Sequence, residues 1–223
     1  MTELGVLEDE AARTKAYWDK FYAQTWYSDS STFCRYVAES SYFRDAVLDL
    51  GCGNGRDSFG FAKRASKVVA VDQSQVAVET GNKKAAESGL PHLSFVQCEL
   101  QDGEKLARVI ADLKAQAPQG VLFYCRFVLH AIDEPTQDVL LSAVAAGLGP
   151  NDVFAAEFRT AKDADKDHVH GDHYRRYQDA PTLARELASR WGLNVRVYQE
   201  GNGFSPYKDE DPELCRMIVL APQ

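Results

Sequence analysis

The sequence predicts an α/β fold, a doubly wound and mostly parallel sheet of seven strands that ends in an antiparallel hairpin. Three observations predict it. Short apolar, β-branched runs alternate with longer helical patterns as far as residue 158. One of those runs passes directly into a glycine cluster and then a helix. The last two strand patterns, 194–198 and 215–220, follow one another with no helix between them. Alternation means a parallel sheet covered on both faces, and directly joined strands mean an antiparallel edge.

The elements follow in order. Residues 10–24 read as a helix with an aromatic face, and a second helix falls near 31–40. The sheet does not need these two, so residues 1–45 are expected to form a helical lid on a domain spanning 46–223. Residues 46–50 (AVLDL) are a buried strand cut off by glycines, and a helix resumes at 56–64. Strand 67–71 leads to helix 74–88, which stops at Gly89 and Pro91. Strand 92–97, helix 103–116, strand 121–125, helix 135–147 and strand 153–158 complete the alternation. Residues 159–180 fit neither pattern. Unstructured stretches beyond about 12–15 residues are usually functional or disordered, so this one is assigned to substrate. Helix 181–191 and the hairpin finish the chain, with a Gly-, Pro- and Asp-rich connection over 199–213.

Composition excludes several classes. The chain has 223 residues, 45% hydrophobic and 26% charged, ordinary for a globular protein. No window approaches the roughly 20 apolar residues of a membrane span, and the acidic start carries no apolar leader. A net charge of −8 disfavours nucleic acid as a partner. Five scattered cysteines without a CxxC pair read as reduced thiols of a cytoplasmic protein. Cys98 and Cys125 sit in apolar runs as small core residues. Monomer and homodimer are both compatible with the sequence.

The chemistry starts at Asp49-Leu50-Gly51-Cys52-Gly53-Asn54-Gly55. Glycines permit positive φ and close approach of a ligand, and the turn after the first strand is the expected crevice of a doubly wound sheet. A GxGxG turn alone also serves dinucleotides. Asp49, two positions before the first glycine, would repel a pyrophosphate but suits a cationic sulfonium or amino group. Asp72, at the tip of the second strand, is placed to accept ribose hydroxyls. The alternative for Asp72 is a helix N-cap, a task open to Ser74 as well. Gln73 follows it. Glu99, after the third strand, is placed to accept from an adenine amino group with Leu100 against the ring; otherwise it is a solvated loop acid.

The order VLDLGCGNGRD, VVAVD, FVQCEL and VLFYCRFVLHAI resembles class I S-adenosylmethionine-dependent methyltransferases over roughly residues 17–220. The resemblance implies a Rossmann-like, seven-stranded sheet with S-adenosylmethionine as cofactor and S-adenosylhomocysteine as product. It also implies that Asp49, Gly51, Gly53 and Asn54 line the methionine half, Asp72 the ribose, and Glu99 and Leu100 the adenine; Cys52 and Gln73, beside them in the chain, are expected in the same cofactor site. An Asp is the commoner adenine acid in the family, so Glu99 departs from its pattern. Tyr22 and Trp26 are the expected cofactor-facing members of the aromatic helix, although an aromatic stripe at helical spacing is ordinarily core.

The acceptor is assigned to two places. Arg126 and His130 follow the fourth strand and share a face if 127–131 is helical. The alternative is that Arg126 pairs with an acid of the fold and His130 is a hydrogen-bonded core histidine. After the fifth strand come Arg159 and then His173, Tyr174, Arg175 and Arg176, in the cluster HYRRY. Arginine forks suit phosphate or carboxylate; otherwise these charges pair with Asp163, Asp165 and Asp167. His168, His170 and His173 have a metal-like spacing but no evident fourth ligand. YCRFVLH and HYRR are similar to stretches of small bacterial family members that act on cell-surface polysaccharide or phosphate-bearing metabolites.

These residues predict a small-molecule methyltransferase that O-methylates a phosphate, phosphonate or carboxylate acceptor. Its catalytic groups would be His130, His173 and Arg126, and the same residues with Arg159, Tyr174, Arg175 and Arg176 would bind substrate. A hydroxyl- or N-directed enzyme with His130 or His173 as base is the nearest alternative. A non-catalytic cofactor-binding subunit and a dehydrogenase are more distant ones.

Overall fold

The computed structural model describes residues 14, 16–22, 24, 29–166 and 174–222. The strands are β1 (Ala46–Leu50), β2 (Lys67–Asp72), β3 (Leu93–Gln97), β4 (Val121–Arg126), β5 (Val153–Arg159), β6 (Asn194–Gly201) and β7 (Leu214–Leu220). The helices are α1 (Thr32–Glu39), α2 (Arg56–Phe61), α3 (Gln75–Glu87), α4 (Gly103–Ala115), α5 (Glu134–Gly147) and α6 (Ala180–Ser189). A helical stretch within residues 14–24 precedes them.

Five of these six helices start where the sequence supplies a side-chain cap, and α2 starts at Gly55 without one. Ser31, Ser74, Asp102, Asp133 and Asp179 accept from backbone amides at the starts of α1, α3, α4, α5 and α6. Such caps satisfy amides that have no partner within the helix. Pro135 and Pro181 sit in the first turns of α5 and α6, where a missing N–H costs nothing.

The seven strands form one sheet in the order β3-β2-β1-β4-β5-β7-β6. All pairs are parallel except those of β7, which runs antiparallel to β5 and β6. The strand period of two sorts residues between two cores. Leu48, Leu50, Val69, Val71, Phe123, Cys125 and Phe154 face α4, α5 and α6. Val47, Val68, Ala70, Leu122, Val153 and Ile218 face α1, α2 and α3. Cys98 and Cys125 are buried as expected.

β1 lies between β2 and β4, so the chain winds away from it in both directions. That switch point opens a crevice at the carboxyl ends of β1 and β4. Asp49 falls on the α1–α3 face of β1, in register with Tyr124 of β4.

Two expectations change. Residues 127–131 are a bend and turn, not a helix. Phe127 has a φ of 59°, a left-handed conformation that breaks the chain direction after β4. The stretch 159–180 is also more ordered at its ends than expected. It opens with a 3-10 turn over Ala161–Asp163, and Thr160 bridges Gln178.

Candidate active site

One cavity of about 650 Å³ occupies the crevice, within the roughly 300–1,000 Å³ usual for cofactor and ligand sites. Its two ends differ in chemistry.

The first end is built by the glycine loop. Gly51, Gly53 and Gly55 all have positive φ. A Cβ on Gly53 would come within 2.5 Å of the Tyr22 ring, so the loop must stay bare there. Gly51 N and Cys52 N donate to Val71 O, tying the loop to β2. Gly53 N donates to Asp72 Oδ2 at 2.8 Å and Ser74 N to Asp72 Oδ1 at 2.9 Å. Asp72 therefore braces the loop, while Ser74 caps α3.

Three acids converge here. Asp49 accepts from Ser58 Oγ at 2.6 Å. Asp57 accepts from Ser31 N, Ser31 Oγ and Tyr124 OH, each at 2.7 Å. Burial, with Asp57 and Asp72 nearby, pushes Asp49 up to about 7 despite the Ser58 bond. Burial also raises Asp72, against the amides of Ser74 and Gly53. Like charges gathered in a dry pocket disfavour ionisation, and a cation placed among them restores it.

Asp49, Gly51, Cys52, Asn54, Asp72, Gln73 and Leu100 line this end. Tyr22 lines it too and covers Gly53, which is thereby shielded from the cavity. Its phenol is driven upward by burial and by Asp72, Cys52 and Asp49. Glu99 is not among the lining residues. Its carboxylate accepts from Gln101 Nε2 at 2.9 Å, and Gln101 is the side chain that reaches the cavity. Trp26 lies outside the described residues.

The second end carries the arginines, and most are already committed. Arg126 Nε donates to Glu157 Oε1 at 2.9 Å. Burial opposes its charge, but Glu157 and Asp57 outweigh burial and raise its pKa further. Arg216 donates to the other oxygen of Glu157 at 2.6 Å, so one fully buried carboxylate serves two guanidiniums. Arg159 is buried between Asp163 and Glu210. Arg176 does not line the cavity; it donates to Gln137 Oε1 at 2.6 Å and Ile132 O at 3.3 Å. Arg126 and Arg159 thus line the cavity already paired with fold carboxylates, while Arg176 lies off it and fastens its loop to α5.

His130 is 4% exposed and lines the cavity. Its Nδ1 accepts from Arg159 N at 3.2 Å, which puts the ring proton on Nε2. A ring held this way has its Nδ1 engaged by the fold. His173 lies outside the described residues, as do His168 and His170. Among the described residues no His, Cys, Asp and Glu cluster suits a metal.

Tyr174 and Arg175 do line the cavity, opposite Tyr17, Phe21, Phe127, Pro206 and Tyr207. Burial lowers the Arg175 pKa and Arg159 lowers it further, against Tyr177, Tyr17 and Glu210. Sequence reasoning assigned no role to Asp57, Tyr124, Phe127, Glu157, Glu210 or Arg216. The one available signal was an acid and an arginine, Glu157 and Arg216, inside otherwise apolar strands.

Sheet, loop and acidic pocket together define a Rossmann-like protein whose crevice takes a cationic nucleoside. Glycines with no room for a Cβ, a brace at Asp72 and acids awaiting a cation all fit S-adenosylmethionine. Residues 47–151 match the methyltransferase domain family. Among curated relatives, a 23S rRNA (uracil(1939)-C(5))-methyltransferase of Marinomonas posidonica is 41% identical over 47% of this chain and 24% of its own length. A ubiquinone biosynthesis O-methyltransferase of Pasteurella multocida is 27% identical over 52% of this chain. The chain spans 48% of that second relative, so it matches about half the length of either at most.

Solved structures share the fold over nearly the whole chain. A SAM-dependent methyltransferase from Anabaena variabilis has a TM-score of 0.69 at 16% identity, covering 95% of both chains. The Burkholderia thailandensis 1,6-didemethyltoxoflavin-N1-methyltransferase, solved with its substrate and S-adenosylhomocysteine, has a TM-score of 0.68 at 20% identity, covering 97% of this chain and 90% of that one. Residues 47–151 thus carry a methyltransferase domain, and the fold around it is that of S-adenosylmethionine-dependent enzymes; together these similarities support a class I methyltransferase with S-adenosylmethionine as cofactor.

Proposed function

We propose that this protein transfers the methyl group of S-adenosylmethionine to an oxygen of a small acceptor that bears a phosphate, phosphonate or carboxylate. One observation carries the reading: Arg175 opens into the same cavity as the glycine loop, beside Tyr17 and Tyr174, where burial and Arg159 lower its pKa. Arg126 and Arg159 already have carboxylate partners, so they shape that end without supplying surplus charge.

The bound cofactor supplies an electrophilic methyl carried by a sulfonium. The protein's part is positioning and exclusion of water. Asp49 faces the cationic half, Asp72 holds the loop and offers acceptor oxygens to the ribose, and Leu100 and Gln101 meet the base. Tyr17, Trp18, Phe21 and Tyr22 wall the cavity from the amino-terminal side, the place of a lid. An ionised phosphate or carboxylate oxygen attacks without losing a proton. That suits His130, which lines the cavity with its Nδ1 already engaged by the Arg159 amide.

Charge and size favour a small partner. The chain is acidic, and the acceptor end of its crevice sets aromatic rings beside its arginines. No described helix is long and apolar enough to cross a membrane, which fits the cytoplasmic setting that five free thiols suggest. A monomer or homodimer would present the site equally.

The test is methyl transfer from labelled cofactor to a panel of phosphates, phosphonates, carboxylates, phenols and amines. Methylation of an anionic oxygen is expected. Arg175→Gln should raise KM for that acceptor about tenfold or more, the worth of a charge-assisted bond, and leave cofactor affinity in place. Transfer confined to neutral hydroxyls or amines, indifferent to Arg175→Gln, overturns the reading.

A further inference from the structure

Phe127 is costly where it stands. Its φ of 59° is a region that glycine or asparagine enters more readily than an aromatic residue. Its backbone N–H donates to Glu157 O at 2.8 Å, which holds the bend in place. The ring is gripped as well. The Arg126 guanidinium lies over it, 4.1 Å from the centroid, and that of Arg159 at 5.7 Å. The His130 ring meets it edge-on at 5.4 Å. Cation–π contacts of this kind are stronger in partly desolvated sites.

Its place in the chain is equally specific. The next residue, Val128, packs so closely on Gly51 that a Cβ there would come within 2.4 Å of it. Three residues on, His130 takes the Arg159 amide. Phe127 therefore links the cofactor loop to the arginine end, and it lines the cavity they share.

We infer that Phe127 is the specificity-determining residue of the acceptor site, a fixed ring that limits the acceptor to about one planar ring beside the transferable methyl. Folding alone is served better by glycine here. The side chain is kept for the space it fills, and two guanidiniums and an imidazole prevent it from swinging aside. A larger acceptor needs that space and is refused. The inference rests on the proposed acceptor end around Arg175, and its test separates the two.

The probes are 4-hydroxybenzoate and 6-hydroxy-2-naphthoate, acids of the same charge with one ring and two. Their binding to the protein saturated with S-adenosylhomocysteine is measured by calorimetry. The wild type is expected to prefer the smaller acid by tenfold or more. Phe127→Gly should erase or reverse that preference and change S-adenosylhomocysteine affinity by less than twofold, relief of the left-handed bend offsetting part of the lost ring contacts. Phe127→Leu, with an apolar side chain of intermediate size, should fall between them and serves if the glycine variant folds poorly. An unchanged preference in both variants overturns the role of Phe127. An equal loss of cofactor affinity overturns it too, because the residue would then be structural. Binding of neither acid by any of the proteins sinks the acceptor-site assignment itself, whereas loss of both acids in Arg175→Gln alone leaves the inference standing.

Discussion

The two ends of the cavity handle charge in opposite ways. At the cofactor end three acids, Asp49, Asp57 and Asp72, line the crevice, and among the described residues their nearest guanidinium pair is the 4.0 Å between Asp57 and Arg126. At the acceptor end Glu157 takes two guanidiniums, and Arg159 takes two carboxylates. The first end is left electrostatically incomplete, ready for a cation. The second is nearly complete before any ligand arrives, so the buried ions around Glu157 and Arg159 hold its shape. A charged side chain in a pocket is therefore no guide to ligand charge until its partners are counted.

The strongest way to break this contrast is at Glu157. Glu157→Ala leaves two buried guanidiniums without their shared carboxylate, which costs about 3–5 kcal/mol. Denaturant unfolding should show a loss of that size, whereas a change under 1 kcal/mol would mean that the ion cluster contributes little.

The glycine loop gives the next largest effect. Gly53→Ala forces a Cβ against Tyr22 at a φ of 56°. A residue other than glycine in that region costs roughly 1–2 kcal/mol before any clash. Calorimetry with S-adenosylhomocysteine should show affinity down at least about tenfold. Unaltered binding would place the cofactor elsewhere.

Asp49 sharpens the comparison through pH. In the cofactor-free protein its carboxyl titrates at about 7, and the sulfonium favours the ionised form. S-adenosylmethionine affinity should thus fall as pH drops below about 7, by up to about tenfold per pH unit. S-adenosylhomocysteine, with no charge on sulfur, should vary less, and Asp49→Asn should flatten the difference. The native state binds this proton more tightly than the unfolded chain does. Stability of the free protein should therefore decline as pH rises from about 4 to about 7 and level off above. A parallel pH dependence for both nucleosides would refute a sulfonium facing Asp49.

The smallest effect is expected at Arg176. Arg176→Gln loses bonds to Gln137 and Ile132. A stability loss of about 1–2 kcal/mol is expected, with acceptor KM unchanged. A rise in KM equal to that of Arg175→Gln would return Arg176 to the acceptor site.

Much of the molecule was legible beforehand, and particular residues say why. β1 and β2 read as apolar runs because they are buried on both faces. Ser74 announces a helix start because a cap acts within three residues. The loop Gly51–Gly55 announces a ligand because its φ values depend on the residues themselves. Boundaries slipped where tertiary contacts intervene. β6 runs on to Gly201 because it pairs with β7 as far as Leu214. The 127–131 turn reads as helical by spacing, yet Phe127 departs from it where its amide meets Glu157.

By itself the sequence determined the sheet, its winding, the glycine loop and the acids beside it, since each depends on neighbours a few residues away. Only the tertiary structure decided which arginines are spoken for. Glu157 meets Arg216 across 59 residues and Arg159 meets Glu210 across 51. An ion pair depends on distance in space, and local pattern carries no record of that distance.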